Sequence, residues 1–279
     1  MPLVSIIIPC YNQACFLPFA LWSVLKQSFT DWECIIVNDG STDKTEQVAL
    51  DWTKKDPRFI YFYQENKGLS EARNAGIRKA KGEYLLPLDS DDLIHKNYLI
   101  EAVPIILSDN NIKIVYTDTR LFGISRAIWN YAFDWNNFLF QNYIPCTALY
   151  RKKDWKNAGG YNPNMKGGFE DWDFWMSIIE KGGKVYRIKK PLFFYRQREN
   201  SMIGKLTSED YIRLKRTLAL NHLRFYADKL GDPLTLTLKI KDLERQKKLM
   251  ENSLAYRIGA LLTKPFKLLK DLLKKVRKK

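Results

Sequence analysis

Leu3-Val4-Ser5-Ile6-Ile7-Ile8-Pro9-Cys10-Tyr11-Asn12 is a short apolar run that breaks abruptly into proline and polar residues. A strand buried on both faces reads as nearly continuous hydrophobic sequence, which is how strands look in a parallel sheet covered by helices. The pattern recurs at Glu33 to Val37, Phe59 to Tyr63, Tyr84 to Leu88 and Ile112 to Tyr116, with helical spacing at 14–27, 43–55, 70–80 and 96–107 between them. Such alternation predicts an α/β fold with a mostly parallel central sheet flanked by helices. Within 70–80 the inward stripe is Ala72, Gly76 and Ala80, small enough for close approach to the sheet. Pro87 cannot donate to a ladder, so a bulge or strand end is expected there.

From about 120 to 200 the chain is less regular and rich in Trp and Tyr, with turn signals at Gly159-Gly160 and Gly167-Gly168. A helix is expected from about 170 to 181, short strands at 184–188 and 192–198, and a closing helix near 207–230 ended by Gly231-Asp232-Pro233. These breaks divide the chain into 1–118, 119–232 and a tail, 233–279.

With 279 residues and 46% hydrophobic content, the chain can bury a core large enough to offset its entropy, which excludes disorder as the main state. No apolar run approaches the ~18 residues of a membrane span. The Met1 end has no basic segment or cleavage site, so no secretory signal is expected. Cys10, Cys15, Cys34 and Cys146 form no CxxC pair and read as reduced thiols of a cytoplasmic protein. His95 and His222 are the only histidines, which leaves little for a His-rich metal site or a Ser-His-Asp relay. Of the net charge of +15, ten units lie from Lys239 onward, so the rest of the chain is only mildly basic. That argues against nucleic acid, which calls for basic residues across a folded face.

Three predicted strands end in polar clusters: Pro9-Cys10-Tyr11-Asn12, Asn38-Asp39-Gly40-Ser41-Thr42-Asp43 and Asp89-Ser90-Asp91-Asp92. Ligands of open parallel sheets bind beyond the carboxyl ends of strands, so these clusters can meet around one ligand. Asp89 and Asp91 suit a hard divalent cation such as Mg²⁺ or Mn²⁺ bridging phosphates. The plainer reading is that Asp91 or Asp92 caps the helix at 96–107. Asp39 could accept from a base edge, or simply close a tight turn with Asp43 as cap. Neither GxGxxG nor GxxxxGK[ST] follows a strand, so those phosphate cradles are absent. Arg73, in the first turn of its helix, opposes the helix dipole. A nearby diphosphate would compensate, but on spacing alone a solvated Arg beside Glu71 is the better reading. Asp171 opens the late helix and shares a face with Phe174, Trp175 and Ile178. A carboxylate so placed can serve as a general base, ionised at neutral pH by the helix dipole, or be merely an acidic first turn.

Taken in order, Val4 to Asn12, Val37 to Asp43, Ala72-Arg73-Asn74, Leu88 to Asp92 and Glu170-Asp171-Trp172-Asp173 resemble the motifs of the family-two inverting glycosyltransferases with the GT-A fold. The resemblance covers residues 3 to about 200. It implies a GT-A nucleotide-diphospho-sugar transferase fold, with a donor-binding half in 1–118, an acceptor-binding and catalytic-base half in 119–232, and a basic helical tail. It further implies a nucleotide-diphosphate sugar donor and a glycan or lipid-linked acceptor, in cell-surface polysaccharide synthesis. Pro9, Tyr11 and Asp39 would hold the nucleoside, with Arg73 in its neighbourhood. Asp89 would contact ribose or sugar, and Asp91 with Asp89 would hold Mn²⁺ or Mg²⁺. Asp171 would be the base, supported by Glu170. Members often carry Tyr-Arg-x-His after the last strand, where this chain has Tyr195-Arg196-Gln197-Arg198. An arginine cannot ligate a metal, but Arg196 and Arg198 can pair with diphosphate oxygens. The plainer reading pairs both with nearby acids.

Trp129, Tyr131, Trp135, Trp172 and Trp175 are candidates for stacking on sugars, though aromatics mostly fill cores. In the tail, Leu236, Ile240, Leu243, Met250, Leu254 and Leu261 approximate a heptad seam that suits a homo-oligomer through 234–262. Ile258, Leu261, Leu262, Phe266, Leu269, Leu272, Leu273 and Val276 form an apolar stripe opposite the basic residues. That pattern suits an anionic membrane surface, hence a peripheral protein on its cytoplasmic, inner face. Competing readings are a non-catalytic nucleotide- or membrane-binding relative and a tail docked on the protein's own core.

Overall fold

The computed structural model describes residues 1–199, 201, 203–254, 256 and 258. In chain order the elements are β1 (Val4–Cys10), α1 (Leu17–Leu25), β2 (Trp32–Asp39), α2 (Thr45–Lys55), β3 (Phe59–Gln64), α3 (Leu69–Lys79), β4 (Tyr84–Pro87), β5 (Leu93–Ile94) and α4 (Tyr98–Ser108). Then come β6 (Ile112–Gly123), β7 (Ile128–Trp129), α5 (Trp135–Phe138), β8 (Leu149–Arg151), α6 (Lys152–Ala158), α7 (Glu170–Ile179) and β9 (Lys184–Gln197). A 3₁₀ turn (Ile203–Lys205) precedes α8 (Ser208–Asn221), α9 (Leu223–Leu230) and α10 (Pro233–Asn252). Met1–His222 form one compact unit, and Leu223 begins a second.

The sheet runs β3-β2-β1-β4-β8-β6-β9-β5, with β7 beside β6. β3, β2, β1 and β4 are parallel neighbours, and every residue of β1 and β2 is buried, as their unbroken apolar sequence requires. Strand order reverses at β1, so the ends of β1 and β4 flank a switch point. Val4, Ile6 and Ile8 join one core with Leu17, Ala20, Leu21 and Val24 of α1 and with Leu99, Ala102, Val103 and Ile106 of α4. On the opposite face α3 lies so close that a Cβ on Gly76 would stand 2.6 Å from Ile7 Cγ2 and 2.9 Å from Val37 Cγ2. The small-residue stripe thus has its expected purpose.

Three departures from the expectations have physical reasons. The strand from Ile112 does not adjoin β4, because the unanticipated short strand β8 inserts antiparallel to both. Two expected strands are one, β9, which stays paired to β6 through register shifts opposite Ile188–Pro191, where Pro191 cannot donate. β4 ends at Pro87, one of the two outcomes foreseen. The helix expected over 207–230 is split at His222, whose ring lies between Asp173 of α7 and Glu180, the residue that caps its end.

In the second unit, Gly231 takes a positive φ and Asp232 caps α10 by accepting from Thr235 N at 2.9 Å, with Pro233 at the first turn. The Gly-Asp-Pro stop is therefore also a start. Leu234, Leu238, Ile240, Leu243, Leu249 and Met250 are exposed along α10. Most of the second stripe, Leu261 to Val276, lies outside the described residues. Among the described residues, no helix is long and apolar enough to cross a membrane.

Candidate active site

The β1 and β2 ends are fastened to each other. Asn12, held at φ 53°, accepts through Oδ1 from Thr42 N (2.8 Å) and Asp43 N (3.3 Å), and its own N–H donates to Ser41 Oγ (3.0 Å). Asp43 accepts from Ala14 N and Thr45 N. Burial works against its ionisation, but hydrogen bonds from Thr45 and these amides outweigh it and hold the carboxyl below its ordinary value. Asp39, 3% exposed, accepts from Gln64 Nε2 (2.6 Å), Lys67 N (2.9 Å) and Gly68 N (2.9 Å). The Asp39 carboxylate thus shapes the loop ahead of α3. Pro9 is buried within β1, and Tyr11 is exposed at its end.

The β4 end is different. Neither Asp91 nor Asp92 caps a helix: α4 starts after Asn97 without a side-chain cap. Asp89 accepts from Arg73 Nη2 at 2.7 Å, and Arg73 Nη1 donates to Glu170 Oε1 at 2.7 Å. The solvated Arg73 favoured by spacing is corrected here: the side chain is wholly buried, 5.3 Å from the Tyr161 ring centroid, and it joins β4 to α7. Buried with two acids, it neutralises both rather than standing free for a nucleoside. Gly160, Tyr161 and Trp155 fold over Asn74 beside it; Asn74 Oδ1 accepts from Tyr161 N at 2.8 Å and from Trp155 Nε1 at 3.0 Å.

Asp91 Oδ2 lies 2.5 Å from Arg198 Nη2. Asp92 is enclosed, accepts from Arg196 N at 2.7 Å through Oδ1, and has no partner for Oδ2. Burial first, then the neighbouring carboxylates, push both acids above their ordinary value, Asp92 strongly. Asp89, Asp92 and Cys146 each bring one ligand atom within 4.8 Å of the others. The two carboxylates, one with the unpartnered Asp92 oxygen, suit a hard divalent cation, whereas the Cys146 thiol is a soft donor. The expected pair was Asp89 and Asp91. Asp92 was legible in the same acidic run, whereas Cys146, whose Sγ stands 3.5 Å from Asp89 Oδ2, had no signal in the sequence.

Asp171 follows Glu170 at the start of α7, after Phe169 held at φ 62°. Asn12 and Phe169 are the only non-glycine residues of positive φ among the described residues, and both border this site, where such strain is commonly kept. Asp171 accepts from Trp172 N (2.7 Å) and from Asn142 Nδ2 (3.1 Å), a loop residue the sequence did not single out. The expectation that the helix dipole keeps Asp171 fully ionised is corrected: burial, then the Glu170 carboxylate, push it up to about 7. Trp172 and Trp175 are core, and Trp129 and Tyr131 are exposed.

Arg198 closes the ring. Its Nη1 reaches Gln13 Oε1 at 3.4 Å, so the last strand meets the β1 loop. Arg196 and Arg198 lie 4.9 and 4.8 Å from the Phe16 ring centroid, beside an open hollow of about 480 Å³. One set of contacts therefore runs from Gln13 through Arg198 to Asp91, and a second from Asp89 through Arg73 to Glu170, with Asp171 next in sequence.

A family model for glycosyl transferase family 2 matches residues 5–172. An uncharacterized glycosyltransferase of Haemophilus influenzae is 28% identical over 237 residues, covering 83% of this chain and 91% of that protein. Other curated relatives are longer: the chain spans 24% of one from Sinorhizobium fredii and 37% of one from Rickettsia typhi. Among solved structures, S. aureus TarS 1-349 in complex with UDP-GlcNAc matches with a TM-score of 0.67 at 21% identity, over 82% of this chain and 72% of that one. The mannosyltransferase PcManGT of Pyrobaculum calidifontis, in complex with GDP-Man and Mn²⁺, matches with a TM-score of 0.57 at 17% identity, over 93% and 83%.

Proposed function

The chain belongs to glycosyl transferase family 2 and has the GT-A fold, and on that premise we propose that it moves a sugar from a nucleotide-diphosphate donor to a hydroxyl of a glycan or glycolipid, inverting the anomeric centre, in cell-surface polysaccharide synthesis. The observation that supports this reading is the Arg73 bridge, which ties Asp89 at the β4 end to Glu170, the residue before Asp171. Pro9, Tyr11 and the loop shaped by Asp39 line the nucleoside side. Residues up to about 118 serve the donor, and those that follow serve the acceptor. Asp171 accepts the proton of the acceptor hydroxyl while its oxygen bonds to the anomeric carbon, and the bond to the nucleoside diphosphate breaks with its electron pair leaving on phosphate. A group titrating near 7 is well matched to that transfer. One base suffices, because a single displacement inverts configuration without a carboxylate nucleophile. Asp89 and Asp91 would hold Mn²⁺ or Mg²⁺, which would supply positive charge to the departing diphosphate. Arg196 and Arg198 face the same oxygens.

The basic tail binds an anionic membrane on its cytoplasmic face, and the exposed leucines of α10 pair copies of the chain. A relative that binds nucleotide without turnover is the second reading, favoured by the closed Asp91–Arg198 pair. Incubating the protein with Mn²⁺ or Mg²⁺ and a panel of UDP- and GDP-sugars separates the two. Hydrolysis or transfer that Asp91→Ala abolishes is expected, and binding without product from any donor and acceptor would support the second reading.

A further inference from the structure

Three acids crowd four positions at the β4 end, and each is neutralised differently. Asp89 is tied to Arg73, which is buried and shared with Glu170, so that pair is fixed. Asp92 is enclosed and held by a backbone amide. Asp91 alone is matched to a side chain with freedom to leave. Arg198 is 30% exposed, its Nε has no hydrogen-bond partner among the described residues, and besides Asp91 its guanidinium makes only a long hydrogen bond, to Gln13, among those residues. Its guanidinium lies against the Phe16 ring, a flat surface along which it can slide, and the hollow beside it is lined by Arg196, Gly123 and Ile124. That hollow has room for an anion and a second arginine to meet it. Planar guanidinium also matches phosphate oxygens in pairs, which a point-charge lysine does not.

We propose that Arg198 is a place-holder for the divalent cation: it neutralises Asp91 until a nucleoside diphosphate arrives with its ion, and then passes from the carboxylate to the diphosphate as Asp91 turns to the ion. This inference rests on the donor-binding reading above and adds an order to it. The exchange involves no covalent step. One positive charge leaves Asp91 and two replace it, while the departing guanidinium finds a new anionic partner. The consequence is coupling: without nucleotide the ion competes with Arg198 and binds weakly, and with nucleotide both cations are accommodated. A histidine here would not compete in this way, because a neutral imidazole can ligate the ion alongside Asp91.

The test is a titration of Mn²⁺ alone into the full chain, followed by electron paramagnetic resonance, and a separate calorimetric titration of UDP and GDP in saturating Mn²⁺. Arg198→Gln should tighten Mn²⁺ binding without nucleotide on the order of tenfold, and weaken nucleoside diphosphate binding by a similar factor. Arg198→Lys, which keeps the charge, should leave Mn²⁺ binding weak. Adding Asp91→Asn to Arg198→Gln should abolish the tightening. Unchanged or weaker Mn²⁺ binding in Arg198→Gln, with nucleotide still bound by wild type, would overturn the place-holder while sparing the donor site. Failure of wild type to bind UDP or GDP under any metal condition would instead overturn the donor site itself.

Discussion

The ends of β2 and β4 are both acidic, and they manage their charge in opposite ways. At β2, Asp39 accepts from Gln64 and the Lys67 and Gly68 amides of the loop ahead of α3, and Asp43 from the Ala14 and Thr45 amides, so backbone donors predominate. At β4, Asp89 and Asp91 face arginines brought from residues 73 and 198, and Asp92 keeps a buried oxygen unpartnered. Backbone donors cannot leave, so the first set is architecture. A partly exposed side-chain cation such as Arg198 can exchange for a ligand, so the β4 end is where chemistry is available. Identical residue types thus separate into scaffold and site by the nature of their donors.

Perturbations should break this contrast in graded fashion. Asp171→Asn removes the proposed base and should lower kcat by ~10²–10⁴, with donor binding and thermal stability retained, as rate assays beside calorimetry would read. Arg73→Met leaves Asp89 and Glu170 buried without their cation and should cost ~3–5 kcal/mol in a denaturant titration, with activity lost as well. Asp39→Ala, on the scaffold side, should cost only ~1–3 kcal/mol and act on donor KM rather than kcat, since it loosens the 64–68 loop without touching the reacting atoms. His222→Gln is the mildest. Burial lowers the His222 pKa, but Asp173 and Glu180 overcome this and raise it above its ordinary value, so its stabilisation is complete below about pH 6.5 and fades as pH rises through the raised value. The Tm gap between wild type and His222→Gln should therefore shrink by a few degrees, on the order of 1 kcal/mol, between pH 6 and pH 8.5.

The parallel half was legible because its strands are buried on both faces, and burial on both faces leaves an unbroken apolar run. β8 was not, because a three-residue strand carries no period, and its Arg151 looks like surface sequence although it is buried against the carbonyls of Ile106 and Ile112. The acidic runs and the Glu170-Asp171 pair were visible as motifs, yet their partners were not. Arg73, Asn142, Cys146 and Arg198 reach the site through the fold, from positions whose local sequence says nothing of which carboxylate they will meet. Asp171 shows the limit most clearly: the helix start argued for easy ionisation, whereas burial, then the Glu170 carboxylate, push its carboxyl up to about 7.

The most direct test of the central claim, that Asp171 is a base tuned by the acids and the arginine around it, is the pH profile of kcat/KM for wild type and Glu170→Gln. Wild-type activity should rise with pH through an inflection near 7, where Asp171 loses its proton. Removing the Glu170 charge should move that inflection downward, since it takes away a repulsion and leaves Arg73 less engaged. A profile flat between pH 5.5 and 8, or an inflection that stays fixed in Glu170→Gln, would contradict the account.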